Sequence, residues 1–135
     1  MNTPCPCHSG KAYQECCRPY HEEKAAENAL LLMRSRYSAY ALGFAEYIIA
    51  TTHPNNPART VPRDQWEREI CSFSKNTAFD GLTIVEFVDG KEQSSVTFTA
   101  VLRQGGRDVS FTEKSLFKKV HGTWLYLFGD ILSAL

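Results

Sequence analysis

The chain has 135 residues, enough for one ordinary hydrophobic core, and its 43% hydrophobic and 12% aromatic content predicts a packed globular domain rather than disorder. Fifteen basic side chains balance fifteen acidic ones, which removes the general basic face that binding to a phosphate backbone needs. The apolar runs "ALLLM" and "YSAYALGFAEYIIA" are too short or carry a carboxylate, so no membrane span is expected and a cytoplasmic protein is predicted.

Four of the five cysteines fall within "CPCHSGKAYQECC", residues 5–17. In a reducing compartment, clustered thiols read as metal ligands or redox groups rather than disulfides. Residues 1–22 hold Pro4, Pro6, Gly10 and Pro19 and few apolar side chains, so this segment needs a staple to fold. Cys5 and Cys7 bracket Pro6, where an extended turn can aim both sulfurs at one centre. Ser9-Gly10 supplies a tight turn. Cys16 and Cys17 converge only if the backbone turns between them. Zinc is the expected ion, because it prefers four soft or borderline ligands in a tetrahedron. An iron–sulfur centre is the second candidate. Lys11 and Arg18 are placed to offset thiolate charge.

Residues 24–74 read as helical. Leu30, Met33, Tyr37, Tyr40, Ala41, Phe44 and Ile48 trace one apolar stripe, with Gly43 as a break. "THPNNPARTVP" is a loop, since three prolines cannot sit inside a helix. Asp64 with Glu67 resembles a capping box, and Trp66, Ile70 and Phe73 share a face of the short helix that follows. From Leu82 the period changes to two. "LTIVEFV", "SVTFTAVLR", "DVSFTEKSLFKKV" and "TWLYLFG" predict four strands, joined at Asp89-Gly90, Gly105-Gly106 and His121-Gly122. Helices followed by an antiparallel meander predict an α+β domain with the helices on one face of the sheet. Cys71 reads as a small core residue.

"CPCHSGKAYQECC" closely resembles the SEC-C motif, a zinc knuckle also found at the C-terminus of the SecA translocation ATPase. The resemblance implies that Cys5, Cys7, Cys16 and Cys17 are the ligands, with His8 or His21 as alternatives to Cys17. His8 stands where the motif usually has glycine. Four thiolates leave no open position for water, so a single zinc ion bound this way is structural. "ALLLMRSRYSAYALGFAEYIIATTHP" and "FTEKSLFKKVHGTWLYLFGD" resemble the domain that follows this motif in the YchJ family. That resemblance implies a SEC-C segment over 1–22 and, over 24–135, the cone-like fold of nuclear transport factor 2 and ketosteroid isomerase. It carries no settled biochemical function.

A cone fold often encloses a pocket between its helices and its curved sheet. Phe111, Glu113, Ser115 and Phe117 share one side of their strand, so inward phenylalanines bring Glu113 and Ser115 with them. A buried carboxylate needs a partner, and Arg34 and Arg36 are the candidates. Bridged to an arginine, Glu113 ties helix to sheet; unbridged, it is a pocket acid or base. His53 reads as a cap on the last helical carbonyls, with a pocket base as the alternative. Tyr37, Tyr40, Tyr47, Trp66, Trp124 and Tyr126 are expected in the core before any ligand stack.

Three functions are compatible with these residues. The first is a non-enzymatic adaptor whose knuckle meets a protein or ribosomal partner, by analogy with SecA. The second is a small-ligand binder or enzyme that uses Glu113 and His53 in the cone pocket. The third is nucleic-acid binding through the knuckle. A homodimer is implied only by analogy with other cone domains.

Overall fold

The structure is a computed structural model and describes residues 3–134. A short α1 (Arg18–His21) follows the cysteine segment; α2 (Ala29–Leu42), α3 (Ala45–Ala50) and α4 (Arg63–Lys75) come next. The sheet is built from β1 (Ala78–Val88), β2 (Gln93–Gln104), a two-residue β3 (Arg107–Asp108), β4 (Phe111–Val120) and β5 (Thr123–Ala134). Its strands are antiparallel in the order β1-β2-β4-β5, with β3 pairing only to β2. This is the expected α+β cone: helices packed on one face of an antiparallel sheet.

Local chemistry explains the boundaries. Asn28 caps α2 by accepting the Leu31 N–H at 2.9 Å. Gly43, at φ 75°, ends the helix, and the Phe44 N–H returns to the Ala39 carbonyl at 2.8 Å. The expected break therefore yields two helices. His121 and Gly122, at φ 51° and 80°, make the two-residue turn that joins β4 to β5.

Several boundaries differ from the sequence reading. β1 begins at Ala78 rather than Leu82, because a register shift between Phe79 and Gly81 lets the strand continue past Asp80. The predicted strand from Asp108 is split in two, since Ser110 leaves the ladder and its Oγ accepts the Leu102 N–H at 3.0 Å. β5 runs on to Ala134. Asp64 does not cap α4; Pro62 holds the N-cap position without a side-chain bond, and the helix starts one residue earlier, at Arg63.

α2 is buried around most of its circumference. Leu32, Met33, Ser35, Arg36, Tyr37, Ser38 and Ala39 are all buried, whereas Phe44, expected in the apolar stripe, is 42% exposed. The sheet covers one side of α2, and the cysteine segment and α3 cover the others. One core joins Cys5, Cys7 and Cys17 to Met33, Tyr37, Phe98, Phe117 and Trp124. A second core joins Ile48 and Ile49 of α3 to Trp66 and Ile70 of α4. α2 thus carries the knuckle on one side and faces the sheet with the other. Among the described residues, no helix is long and apolar enough to cross a membrane.

Candidate metal centre and cone pocket

The cysteine site is built from a hairpin and a kinked turn. Pro4 bridges to Ala12, and the Cys5 N–H donates to the Lys11 carbonyl at 2.9 Å. His8 and Gly10 take positive φ values of 60° and 89° to close the loop. Histidine holds the left-handed position at residue 8 through two contacts. Its Nε2 meets the Phe79 carbonyl at 3.0 Å, and its ring lies edge-on to Tyr37. Cys16 has φ −119° and ψ −91°, the kink that swings two adjacent cysteines toward one point.

All four sulfurs lie within 4.8 Å of one another. The Cys7–Cys16 separation is 3.6 Å and Cys16–Cys17 is 4.0 Å. A tetrahedral ion with metal–sulfur bonds of about 2.3 Å places its sulfurs about 3.8 Å apart. The cluster therefore has the dimensions to hold one metal ion. Cys5, Cys7 and Cys17 are buried, Cys16 is half-buried, and all four are free thiols. Such crowding prevents joint ionisation. The Cys17 and Cys5 thiols donate to Cys7 and pull its pKa far down, while burial pushes Cys16 up to about 11. A divalent cation would displace the protons that remain and offset part of the thiolate charge.

The groups around the sulfurs differ from those expected. Arg34 does not reach Glu113; its Nη1 donates to the Cys7 carbonyl at 3.2 Å and approaches the Cys7 sulfur at 3.7 Å. Ser38, one turn along α2, lies 3.4 Å from the Cys5 sulfur, and Ser9 lies 3.1 Å from that of Cys16. Arg18 instead pairs with Glu22 at 3.0 Å, and Lys11 is exposed. His21 is not a ligand. Its Nδ1 accepts the Tyr13 hydroxyl at 2.7 Å and its Nε2–H donates to the Ser35 carbonyl at 2.8 Å, a tautomer dictated by the carbonyl, which can only accept. Burial lowers its pKa, so it stays neutral. His8 is also outside the cluster, which consists of cysteines.

A second site lies between α2, α4 and the sheet, a cavity of about 510 Å³. Its walls are largely aromatic: Tyr37, Tyr40, Trp66, Phe73, Phe79, Phe98, Phe111, Phe117 and Tyr126. Four of the six tyrosines and tryptophans expected in the core therefore face this space. Tyr47 bonds Ser35 at 2.7 Å instead, and Trp124 packs under Lys119.

Glu113 and Ser115 line the cavity, as strand alternation predicts. The expected Arg–Glu bridge is absent: among the described residues Glu113 has no ion pair. The Ser115 hydroxyl donates to Glu113 Oε2, and the Tyr126 hydroxyl lies 3.4 Å from the same oxygen. Arg36 lines the cavity but makes no ion pair with Glu113. Its Nη1 donates to the Ile48 carbonyl at 3.0 Å and to Thr51 Oγ1 at 2.7 Å, and its guanidinium covers the Tyr126 ring at 4.5 Å. It therefore caps the C-terminus of α3.

His53 is neither pocket base nor side-chain cap. It does not line the cavity, its backbone N–H donates to the Tyr126 carbonyl at 2.7 Å, and its Nδ1 accepts the Asn55 N–H at 3.0 Å. It shapes the loop that Pro54 begins. Cys71 is exposed on α4 rather than buried in the core.

Fold and sites define a nuclear-transport-factor-2-like domain preceded by a cysteine knuckle. The model of the YchJ middle NTF2-like domain matches residues 28–129, and the SEC-C motif matches residues 1–19. The chain belongs to the YchJ family. A UPF0225 protein of Xanthomonas oryzae is 38% identical over 128 residues, covering 93% of each chain. Another, from Sodalis glossinidius, is 35% identical, covering 96% of this chain and 84% of the relative. Among solved structures, a SEC-C motif containing protein from Rhodopseudomonas palustris superposes with a TM-score of 0.80 at 33% identity, covering 98% of this chain and 100% of that one. One from Psychrobacter arcticus gives 0.76 at 28% identity, covering 100% and 85%.

The sequence reading placed Ser9 in the turn but missed its contact with Cys16, and it missed Ser38 and the knuckle role of Arg34. The one signal for the last two was the run of polar side chains in α2, where Arg34 and Ser38 are four residues apart and so share a face.

Proposed function

We propose that this protein binds a small apolar molecule in its cone pocket and uses a structural zinc ion to fasten its N-terminal segment to the helix that lines that pocket. The observation that carries the reading is the open cavity of about 510 Å³ with Glu113 unclamped by arginine. That volume lies in the range of small-ligand sites, about 300–1,000 Å³. A core clamped shut by an Arg–Glu pair would have argued for a purely structural cone. The test is fluorescence titration with Nile red, an uncharged apolar probe, on the native protein and on Ala100→Trp, which fills the cavity from β2. Saturable one-to-one binding that the bulky variant weakens at least about tenfold supports the reading. Equal binding to both folded proteins refutes it.

Zinc fits the four thiols Cys5, Cys7, Cys16 and Cys17 and their single-ion spacing, which suits one tetrahedral ion better than a multi-iron cluster. All four positions would be protein sulfurs, so the metal supplies folding energy and no reactive water. A stoichiometric zinc content of protein purified without added metal tests this assignment.

A second reading, the adaptor, draws on the exposure of Lys11, Glu15 and Arg18 on the knuckle. These side chains would meet a protein or ribosomal partner. Cosedimentation with ribosomes, lost on Lys11→Glu, tests it; a protein that never leaves the top of the gradient refutes the ribosomal form. Nucleic-acid binding gains no support, because Arg34 turns inward onto Cys7.

A further inference from the structure

We infer that the ligand of the cone pocket is an apolar organic cation, an amine whose N–H groups seat on the Glu113 carboxylate; this rests on the reading of the cavity as a ligand site. Glu113 is held from three sides. The buried Ser115 and the half-buried Tyr126 direct their hydroxyls at Oε2. On the neighbouring strand stands Gly129, where any β-carbon would overlap the Glu113 side chain. A side chain fixed this way has a set position, yet its other oxygen, Oε1, accepts no hydrogen bond among the described residues.

The charge around it is also one-sided. Glu69 on α4 lines the same cavity, so two carboxylates face it and one guanidinium. That guanidinium, Arg36, is 7% exposed and held away from Glu113: Nη1 holds the C-terminal end of α3, and the planar face lies on Tyr126. The pocket therefore holds a positioned carboxylate with no ion pair among the described residues, between aromatic rings such as Trp66, Phe98 and Phe111. A partly buried carboxylate is costly until it is paired. A neutral guest leaves it unpaired, and an anionic guest meets two like charges against one guanidinium. An amine pairs with it, donates to Oε1 and places its charge near ring faces that attract cations.

Three probes of one shape test the charge: naphthylmethylamine, naphthalenemethanol and naphthoate, titrated calorimetrically into the full chain at neutral pH. The amine is expected to bind at least about tenfold more tightly than the alcohol, with naphthoate weakest. Glu113→Gln keeps the shape and removes the charge, so amine and alcohol should then bind alike. An amine advantage that survives Glu113→Gln, equal binding of amine and alcohol to the native protein, or naphthoate binding best overturns the amine assignment while the cavity stands. If no probe binds and Nile red also fails, the pocket reading itself falls, and the amine with it.

Discussion

Substituting Gly129 by alanine probes the floor of the pocket with one methyl group. Gly129 faces Ser115 across the β4–β5 ladder, and its missing side chain leaves the space in which the Glu113 carboxylate lies. A β-carbon there would overlap Oε2, Cδ and Cγ of Glu113, so the side chain has to swing away from its root and not only at its tip. The swing breaks the bond from Ser115, which is 1% exposed. An unsatisfied buried hydroxyl costs about 1–3 kcal/mol. Alanine is favoured over glycine in a strand interior by up to about 1 kcal/mol, so the net loss should be about 1–2 kcal/mol. For a chain of this size that lowers the midpoint of thermal unfolding by roughly 3–8 °C. The control is the same substitution in a Glu113→Ala background, where the obstruction is gone. There Gly129→Ala should be neutral or slightly stabilising, giving a coupling of about 1–3 kcal/mol in a urea-denaturation cycle. A Gly129→Ala cost that is identical in the two backgrounds would refute the placement of Glu113 over Gly129.

The knuckle and its neighbours give further expectations. Cys7→Ser should abolish zinc uptake, measured by atomic absorption, and should loosen α2, because Cys7 is 0% exposed beneath Arg34. Arg34→Ala should keep the fold and weaken metal affinity by roughly 10–100-fold in a chelator competition, as removal of groups that hold metal ligands commonly does; unchanged affinity would remove Arg34 from the site. His21 is half-buried, and desolvation holds its pKa below the ordinary 6.5, so its unfolded form takes up protons first. Its contribution to stability is complete above 6.5 and is lost as the pH falls below that value, and His21→Gln should remove this part of the pH dependence of urea denaturation.

Much of the architecture was readable from periodicity. Tyr37 and Met33, the switch to period two, and the Gly and His-Gly turns led to helices on an antiparallel meander. The cysteine spacing led to a four-thiol cluster. What escaped the reading depended on direction in space. Arg34 and Arg36 are two residues apart, about 200° around a helix, so they leave α2 on opposite sides. One meets the knuckle and the other meets α3, and neither is left for Glu113. That divergence follows from helix geometry alone. The exposure of Cys71 does not, because a short amphipathic helix has intermediate positions whose burial depends on what packs beside it. Nor does the relation of Gly129 to Glu113, which requires the register of two strands and the bulge between Leu116 and Phe117. The polar residues of α2 contradicted a simple apolar stripe because the helix has three packed sides, and Ser35 and Ser38 face protein instead of water.

The central claim is that the space between α2, α4 and the sheet receives an apolar guest. Methyl-resolved NMR during titration with naphthalenemethanol, the uncharged probe, tests it most directly. Saturable shifts are expected at Met33, Val61, Ile70, Ala100 and Leu102, which line the cavity, and none at Val85, Val88 and Leu132, which are exposed. Shifts confined to Val85, Val88 and Leu132, with the cavity methyls unmoved, would contradict it.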